Sequence, residues 1–247
     1  MTDETDPSDT TIRIEPAVRP RVLINFASSL DGKINPAPGR RSGRFMMSRK
    51  REDLRRMFAL RGTVDAILIG ASNLRVDDPD LAVPAEEHAA RRARGQPEPL
   101  RVVVTSSADG ITPEMKIFDP ARGGPSIVVH TARMPPEARA RLEPVAELVE
   151  LGALTVAMND LLAWLAGRGV KKLLCEGGGD LCAQLFAARA VDEIYLTLAP
   201  RILGGARAPS MVDGTGFLPD EIPDPRLASV EQLGDELFLR YEVSWPG

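Results

Sequence analysis

The stretch Leu173 to Leu185, LLCEGGGDLCAQL, joins an apolar run to an amphipathic one through a lone carboxylate, Glu176, and three consecutive glycines. Bare backbone amides at the start of a helix can approach a phosphate closely, and the helix dipole favours the negative charge there. The glycines taken alone fit a tight strand-to-helix turn equally well. Glu176 tips the balance, because a carboxylate between a buried strand and such a turn is costly unless a ligand or a cation compensates it. The dinucleotide pattern G-x-G-x-x-G fails at Cys182, and no G-x-x-x-x-G-K-[ST] occurs.

Two further stretches have the same form. In ILIGASNLRVDDPDL, Ile67 to Leu81, an apolar run ends in Ala71 and Ser72 and is expected to pass into a polar loop carrying Asn73, Arg75, Asp77 and Asp78, closed by Pro79. An Asx-turn before the proline is the plain structural alternative. In NFASSLDGKIN the run meets Ser28, Ser29, Asp31 and Gly32. Open α/β sheets bind ligands at the C-terminal ends of their strands. Three polar loops following apolar strands are more than turns require.

Other chemistries find little support. Cys175 and Cys182 fit neither a zinc knuckle nor a C-x-x-C pair and read as plain buried thiols. His88 and His130 stand alone, so no metal site is expected. No G-x-S-x-G elbow is present, which argues against a nucleophilic hydrolase. Five acids against two bases in residues 1–20 supply most of the net charge of −4. The nearly neutral body has no basic stripe for nucleic acid. No apolar run reaches the roughly 18 to 20 residues of a membrane span, and the N-terminus has no secretory pattern, so a cytoplasmic location is expected.

The elements that must position these residues follow from alternation. Strands are expected at Arg21 to Ala27, Val64 to Gly70, Leu100 to Ser106, Ser126 to His130, Val170 to Glu176 and Asp192 to Pro200, with helical patterns between them. Ser48 is placed to cap a helix in which Leu54, Met57, Phe58 and Arg61 recur at helical spacing before Gly62. Pro135 and Pro136 open a helix through Leu142, Asp160 caps LLAWLAGRG, and Asp180 begins LCAQLFAARA. VEQLGDELFLRYEVSW reads as two strands turning at Gly234 and Asp235. The expected fold is one α/β domain over residues 20–247: a mixed, mostly parallel sheet flanked by helices, with a C-terminal antiparallel hairpin. Residues 1–19 read as a disordered acidic tail.

ASSLDGKI, VDAILIGASNLRVDDPDL and LLCEGGGDL with VDEIYLTLAPRILGG closely resemble the reductase domain of riboflavin biosynthesis, in the dihydrofolate-reductase-like superfamily, from about Arg21 to Tyr241. The resemblance implies a homodimer that binds NADPH and reduces the ribosyl group of a pyrimidine ribosylamine 5′-phosphate to ribityl. The zinc deaminase signature often fused to such domains is missing, which implies a stand-alone reductase. Carried over by position, Ala27, Asn73, Asp77, Ser106, Gly177, Gly178, Gly179 and Asp180 line the cofactor, the glycines receiving its pyrophosphate. Arg61, Leu81 and Glu176 fall on the substrate side, Arg61 at the 5′-phosphate, where a guanidinium fork fits. Capping of the carbonyls before Gly62 is its structural alternative.

For catalysis the expectation is that Glu176 orients the pyrimidine or relays a proton, that Asn25 donates to the sugar, and that Asp31 is a further acid at this edge. Thr105, Ser106 and Ser107 suit a 2′-phosphate better than a ribose diol. Asn25 stands where many bacterial members have lysine, as in the archaeal and fungal type that reduces before deamination. Asn73 replaces a common threonine, and Pro84 an arginine. These departures leave open a dihydrofolate-reductase-like oxidoreductase acting on a pterin or other small substrate, or a non-catalytic NADPH-binding protein.

Overall fold

A computed structural model of the protein describes residues 19–39 and 52–245. The strands are β1 (Arg21–Ser29), β2 (Ala66–Gly70), β3 (Leu100–Val104), β4 (Ser126–His130), β5 (Glu147–Glu150), β6 (Lys172–Cys175), β7 (Glu193–Ala199), β8 (Asp224–Leu233) and β9 (Glu236–Ser244). The helices are α1 (Glu52–Arg61), α2 (Ala71–Asp77), α3 (Ala85–Ala93), α4 (Pro136–Leu142), α5 (Met158–Gly167) and α6 (Gly179–Ala187).

The strands form one sheet in the order β5-β4-β3-β2-β6-β1-β7-β9-β8. It is parallel from β5 to β7 and antiparallel at β9 and β8. The inner parallel strands β2, β3, β4 and β6 are largely apolar because both of their faces are covered. Val22, Ile24 and Phe26 of β1 point into one core layer with Leu68, Leu161, Leu173 and Leu185. Leu23 points into the other with Ile67, Ile69, Leu74 and Val128. Late in the chain β6 inserts between β1 and β2, so Cys175 has Ile24 at one side and Leu68 at the other. That crossover sets the three polar segments of the sequence side by side.

Several expectations are corrected. The polar loop after β2 is helix α2, whose Ala71 and Leu74 are buried and whose Asp78 N–H caps Leu74 O. One buried face across seven residues is too little for helical periodicity to stand out. Asp160 lies inside the first turn of α5, where Ala157 is the N-cap residue. The hairpin is longer than expected, since β8 begins at Asp224. Neither α3 nor β5 was anticipated. Ser48 and residues 1–18 of the expected tail lie outside the described residues, but Arg19 is anchored by a double hydrogen bond to Asp192 at 2.7 and 2.8 Å.

Candidate functional site

A cleft of about 1520 Å³ opens over the C-terminal ends of β1, β2, β3 and β6. It exceeds the roughly 300 to 1,000 Å³ of a site for one small ligand. A dinucleotide and a second small molecule fit its size.

The glycine turn after β6 is fastened to the end of β2. Glu176 N donates to Leu68 O at 3.0 Å and Gly70 N donates to Gly177 O at 2.9 Å. Asn73 Nδ2 donates to Glu176 O at 3.2 Å, so α2 also braces the turn. Each glycine then has its own reason. Gly177 has φ +91 and leaves only 3.0 Å between a notional Cβ and the Phe26 ring. At Gly179 a Cβ would strike the Asp213 carboxylate and the Ser210 carbonyl oxygen. At Gly178, the N-cap residue of α6, nothing lies within 4 Å of a Cβ. Gly178, Gly179 and Asp180 line the cleft, whereas Gly177 lies behind it.

Glu176 meets its compensating cation from the far end of α1. Arg61 Nε and Nη2 donate to Glu176 Oε1 and Oε2, both at 2.7 Å, and Nη1 donates to Ala82 O at 2.8 Å. Arg61 is buried and the Glu176 side chain is only 10% exposed. Burial pulls the arginine's pKa down most strongly, yet the Coulombic pull of Glu176 and its hydrogen bonds leave it raised. The fork that the sequence offered to a phosphate or to helix carbonyls is occupied by Glu176 and Ala82.

The face of α1 continues toward β1. Asp53, Met57 and Arg61 follow each other at intervals of four and all line the cleft. Asn25 and Ala27 of β1 line it from below. Thr197 of β7 is registered against Ala27 and donates from Oγ1 to Asp53 Oδ1. Burial pushes the Asp53 carboxyl up from its ordinary range, with Thr197 and Arg56 opposing and Glu176 adding to the rise. Asp53 was missed from the sequence, where it reads as a surface charge on a basic helix. Its spacing of four and eight from Met57 and Arg61 was the available signal.

At the other end, Asn73, Asp77 and Ser106 line the cleft with Arg75 and Arg133. Arg75 donates to Asp109 O at 2.9 Å and to Ser72 Oγ at 3.2 Å. Thr105 accepts from Ala108 N at 3.0 Å, and Ser107 donates to Asp109 Oδ2 at 2.8 Å. Hydroxyls and guanidinium groups suit a phosphorylated ribose there.

Besides Gly177, two expected site residues lie outside the cleft. Asp31 is exposed and accepts from Ser29 Oγ at 2.6 Å, Leu203 N at 3.0 Å and Gly204 N at 2.6 Å. These bonds, that of Ser29 foremost, bring its carboxyl down to about 2. It ties the turn after β1 to the segment after β7. Leu81 is buried in the second core layer with φ +53 and does not line the cleft. Among the described residues no group of three His, Cys, Asp or Glu is placed to hold a metal. Cys175 and Cys182 are both free and buried.

Comparison with known proteins is consistent along the whole length. The RibD C-terminal domain model matches residues 20–239. A 2,5-diamino-6-ribosylamino-4(3H)-pyrimidinone 5′-phosphate reductase of Methanothermobacter thermautotrophicus is 36% identical over 231 residues, covering 92% of this chain and 99% of that protein. The Archaeoglobus fulgidus protein of the same name is 35% identical, covering 88% and 95%. A pyrimidine reductase-like protein of Corynebacterium diphtheriae shares the fold, with a TM-score of 0.74 at 21% identity over 91% of this chain and 92% of that one. The chain belongs to the RibD C-terminal domain family.

Proposed function

We propose that this protein is an NADPH-dependent reductase of riboflavin biosynthesis. Its substrate is 2,5-diamino-6-ribosylamino-4(3H)-pyrimidinone 5′-phosphate, whose ribosyl group it reduces to ribityl. The observation that carries the reading is the cleft, in which the glycine turn after β6 and the polar segment after β2 meet beside Asn25 and Ala27 of β1, over adjacent parallel strands. The archaeal relatives named for this reaction match it nearly end to end. Asn25 supports reduction before deamination, as in the type with asparagine at that position.

In this reading the cofactor supplies hydride, and the protein supplies binding and orientation. Gly178, Gly179 and Asp180, at the start of α6, receive the pyrophosphate. Ala27, Asn73, Asp77 and Ser106 line the remainder, and Gly177 sets the turn behind them. Arg75 and Arg133, with Ser106, favour NADPH over NADH by facing its 2′-phosphate. Asn25 donates to the sugar, and Glu176, held by Arg61, orients the pyrimidine. Phosphorylated intermediates and reduced nicotinamide are intracellular solutes, so the same reading implies a cytoplasmic enzyme.

A homodimer belongs to this proposal. β8 ends the sheet with exposed residues along nearly its whole length. A bulge between Leu227 and Ser229 puts Leu227 opposite Tyr241 and Val230 opposite Leu239, on one face. Leu227 and Val230 are 47% and 56% exposed, and their row continues inward through Tyr241 to the core. A second copy covers that stripe.

The decisive assay follows NADPH oxidation with the diaminopyrimidinone ribosylamine phosphate and, in parallel, with its deaminated form. Turnover with the first alone is expected. Turnover with the deaminated form alone moves the enzyme to the step after deamination. Tight NADPH binding without turnover of either leaves the pterin-type or sensor reading.

A further inference from the structure

We propose that Asp53, not Glu176, is the proton donor of this cleft, delivering its proton to the sugar ring oxygen as the ribosylamine opens. The inference rests on the reductase reading above and adds a residue to it.

Geometry separates the two acids. Both oxygens of Glu176 accept N–H groups of the buried Arg61 at 2.7 Å. A carboxylate whose two oxygens are both engaged by a bidentate guanidinium is held in one orientation, turned to the cation rather than to a substrate oxygen. Its part is to position, in the way a fixed acceptor orients a pyrimidine edge. Asp53 differs on each count. Its Oδ1 takes a hydrogen bond from the neutral hydroxyl of Thr197. No salt bridge reaches it among the described residues; Arg56, on the same helix, is paired with Glu52 and Glu231.

The register fixes which part of the cleft Asp53 serves. Thr197 lies opposite Ala27, and Asn25 stands two residues before Ala27, on the same side of β1. Asp53 therefore overlooks the strand segment that carries Asn25, on the side of the sheet where Arg61 holds Glu176. The other carboxyls that line the cleft are placed differently. Asp77 and Asp109 stand at the β2 and β3 end, Asp180 is exposed, and Asp213 accepts from Ser210 N and Oγ at 3.0 and 2.8 Å.

Among the described residues, the charged groups around Asp53 are Glu52 and Arg56 on its own helix and Glu176 on the turn after β6. Burial and Glu176 favour its protonated form against Arg56 and the Thr197 bond. A carboxyl whose protonated form is favoured, placed beside the sugar-binding segment of β1, suits general acid catalysis at an alkoxide-like leaving oxygen.

The C1′–O4′ bond breaks, the exocyclic nitrogen pair forms C1′=N, and O4′ takes the Asp53 proton. Hydride from the dihydronicotinamide then forms the new C1′–H bond and the π pair returns to nitrogen. The nicotinamide is oxidised, C1′ is reduced, and Asp53 regains a proton from solvent.

The test compares wild type, Asp53→Asn and Thr197→Val. NADPH binding is followed by fluorescence titration and turnover by a pH profile of kcat. Asparagine keeps the Thr197 bond but carries no acid. The expected result is undiminished NADPH binding, kcat lower by about a hundredfold or more, and loss of the alkaline limb. Removing the Thr197 hydroxyl takes away a bond that favours the ionised form, so in Thr197→Val the limb moves to higher pH. If Asp53→Asn keeps both its rate and the wild-type limb, or if the Thr197→Val limb stays in place, the proposal is overturned while the reductase reading survives. If wild type itself turns over neither pyrimidine, both fall.

Discussion

Arg61 and Glu176, 115 residues apart in sequence, form a bidentate pair that ties the last turn of α1 to the glycine turn after β6. The pair fixes the direction of the carboxylate and closes one wall of the cleft. Arg61→Met leaves Glu176 with a buried uncompensated charge. A stability loss of about 3 to 5 kcal/mol is expected from urea unfolding. Glu176→Gln strands the guanidinium instead, and combining both changes is less damaging than their sum, with a coupling of about 1 to 3 kcal/mol. Additive losses would mean that the pair is not a functional unit.

The glycines separate ligand approach from packing. Gly179→Ala drives a methyl group into Asp213 and Ser210, and should cost about 1 to 3 kcal/mol of stability. Gly178→Ala meets nothing within 4 Å and has φ −75, so melting should stay within about 0.5 kcal/mol of wild type. If the proposed cofactor site is right, its NADPH affinity should nevertheless fall by about tenfold, because the methyl group would project where the pyrophosphate is proposed to approach. A thermal melt paired with a fluorescence titration on each variant reads both effects. Unchanged affinity in Gly178→Ala would remove the glycine turn from the cofactor site.

The parts of this arrangement differ in how visible they were beforehand. β1 to β4, β6 and β7 are legible because burial makes them predominantly apolar runs. β5 is not, since ELVE is a half-exposed edge strand with two apolar residues. α3 is hidden for a different reason. Its one buried side chain is Arg91, which donates to the carbonyls of Gly62, Val64 and Pro97, so composition describes it as a solvated segment. Glu176 could be recognised as a group in need of a cation, but which cation depends on β6 inserting beside β2. Asp53 lacked even that hint, because its partner Thr197 is 144 residues away.

Acid should loosen the molecule at identifiable places. Asp31 has its folded carboxyl near 2, below its unfolded value. Its contribution is therefore fully present above about pH 4 and is lost as pH falls toward 2. Burial would raise Glu193, but hydrogen bonds from Arg240, Arg21 and Tyr195 leave it lowered, and its contribution disappears in the same direction. Amide exchange at Leu203 and Gly204 should accelerate in that window, and Asp31→Ala should show fast exchange there already at neutral pH. Protection at those two amides that ignores both acid and the substitution would detach Asp31 from the role of loop anchor.

Asp53 carries the opposite sign. Its folded pKa is raised, so the penalty for ionising it is absent below the unfolded value and fully present above the folded one. Asp53→Asn should then melt at or above the wild-type temperature near neutral pH, with the advantage shrinking as the buffer is made acidic. Stability and turnover would move in opposite directions on one substitution, as expected where a half-buried acid is held for chemistry rather than for the fold. A loss of stability at neutral pH would instead make the Thr197 contact a structural bond of the ionised carboxylate.

The exposed row on β8 supplies the last prediction. Leu227 and Val230 share a face with Tyr241 and Leu239, while the opposite face of the hairpin is covered by Arg56 stacked 4.1 Å from the centre of the Phe238 ring. A second copy seated on the first face would bury a stripe that already runs into the core. Leu227→Asp with Val230→Lys should shift the light-scattering mass from dimer to monomer and leave the far-ultraviolet circular dichroism unaltered, since neither side chain is packed within the chain. The cleft lies at the ends of β1, β2, β3 and β6, away from this edge, so the monomer should still bind NADPH. A wild-type protein that is monomeric at every concentration would remove the homodimer from the proposal and leave the cleft chemistry as it stands.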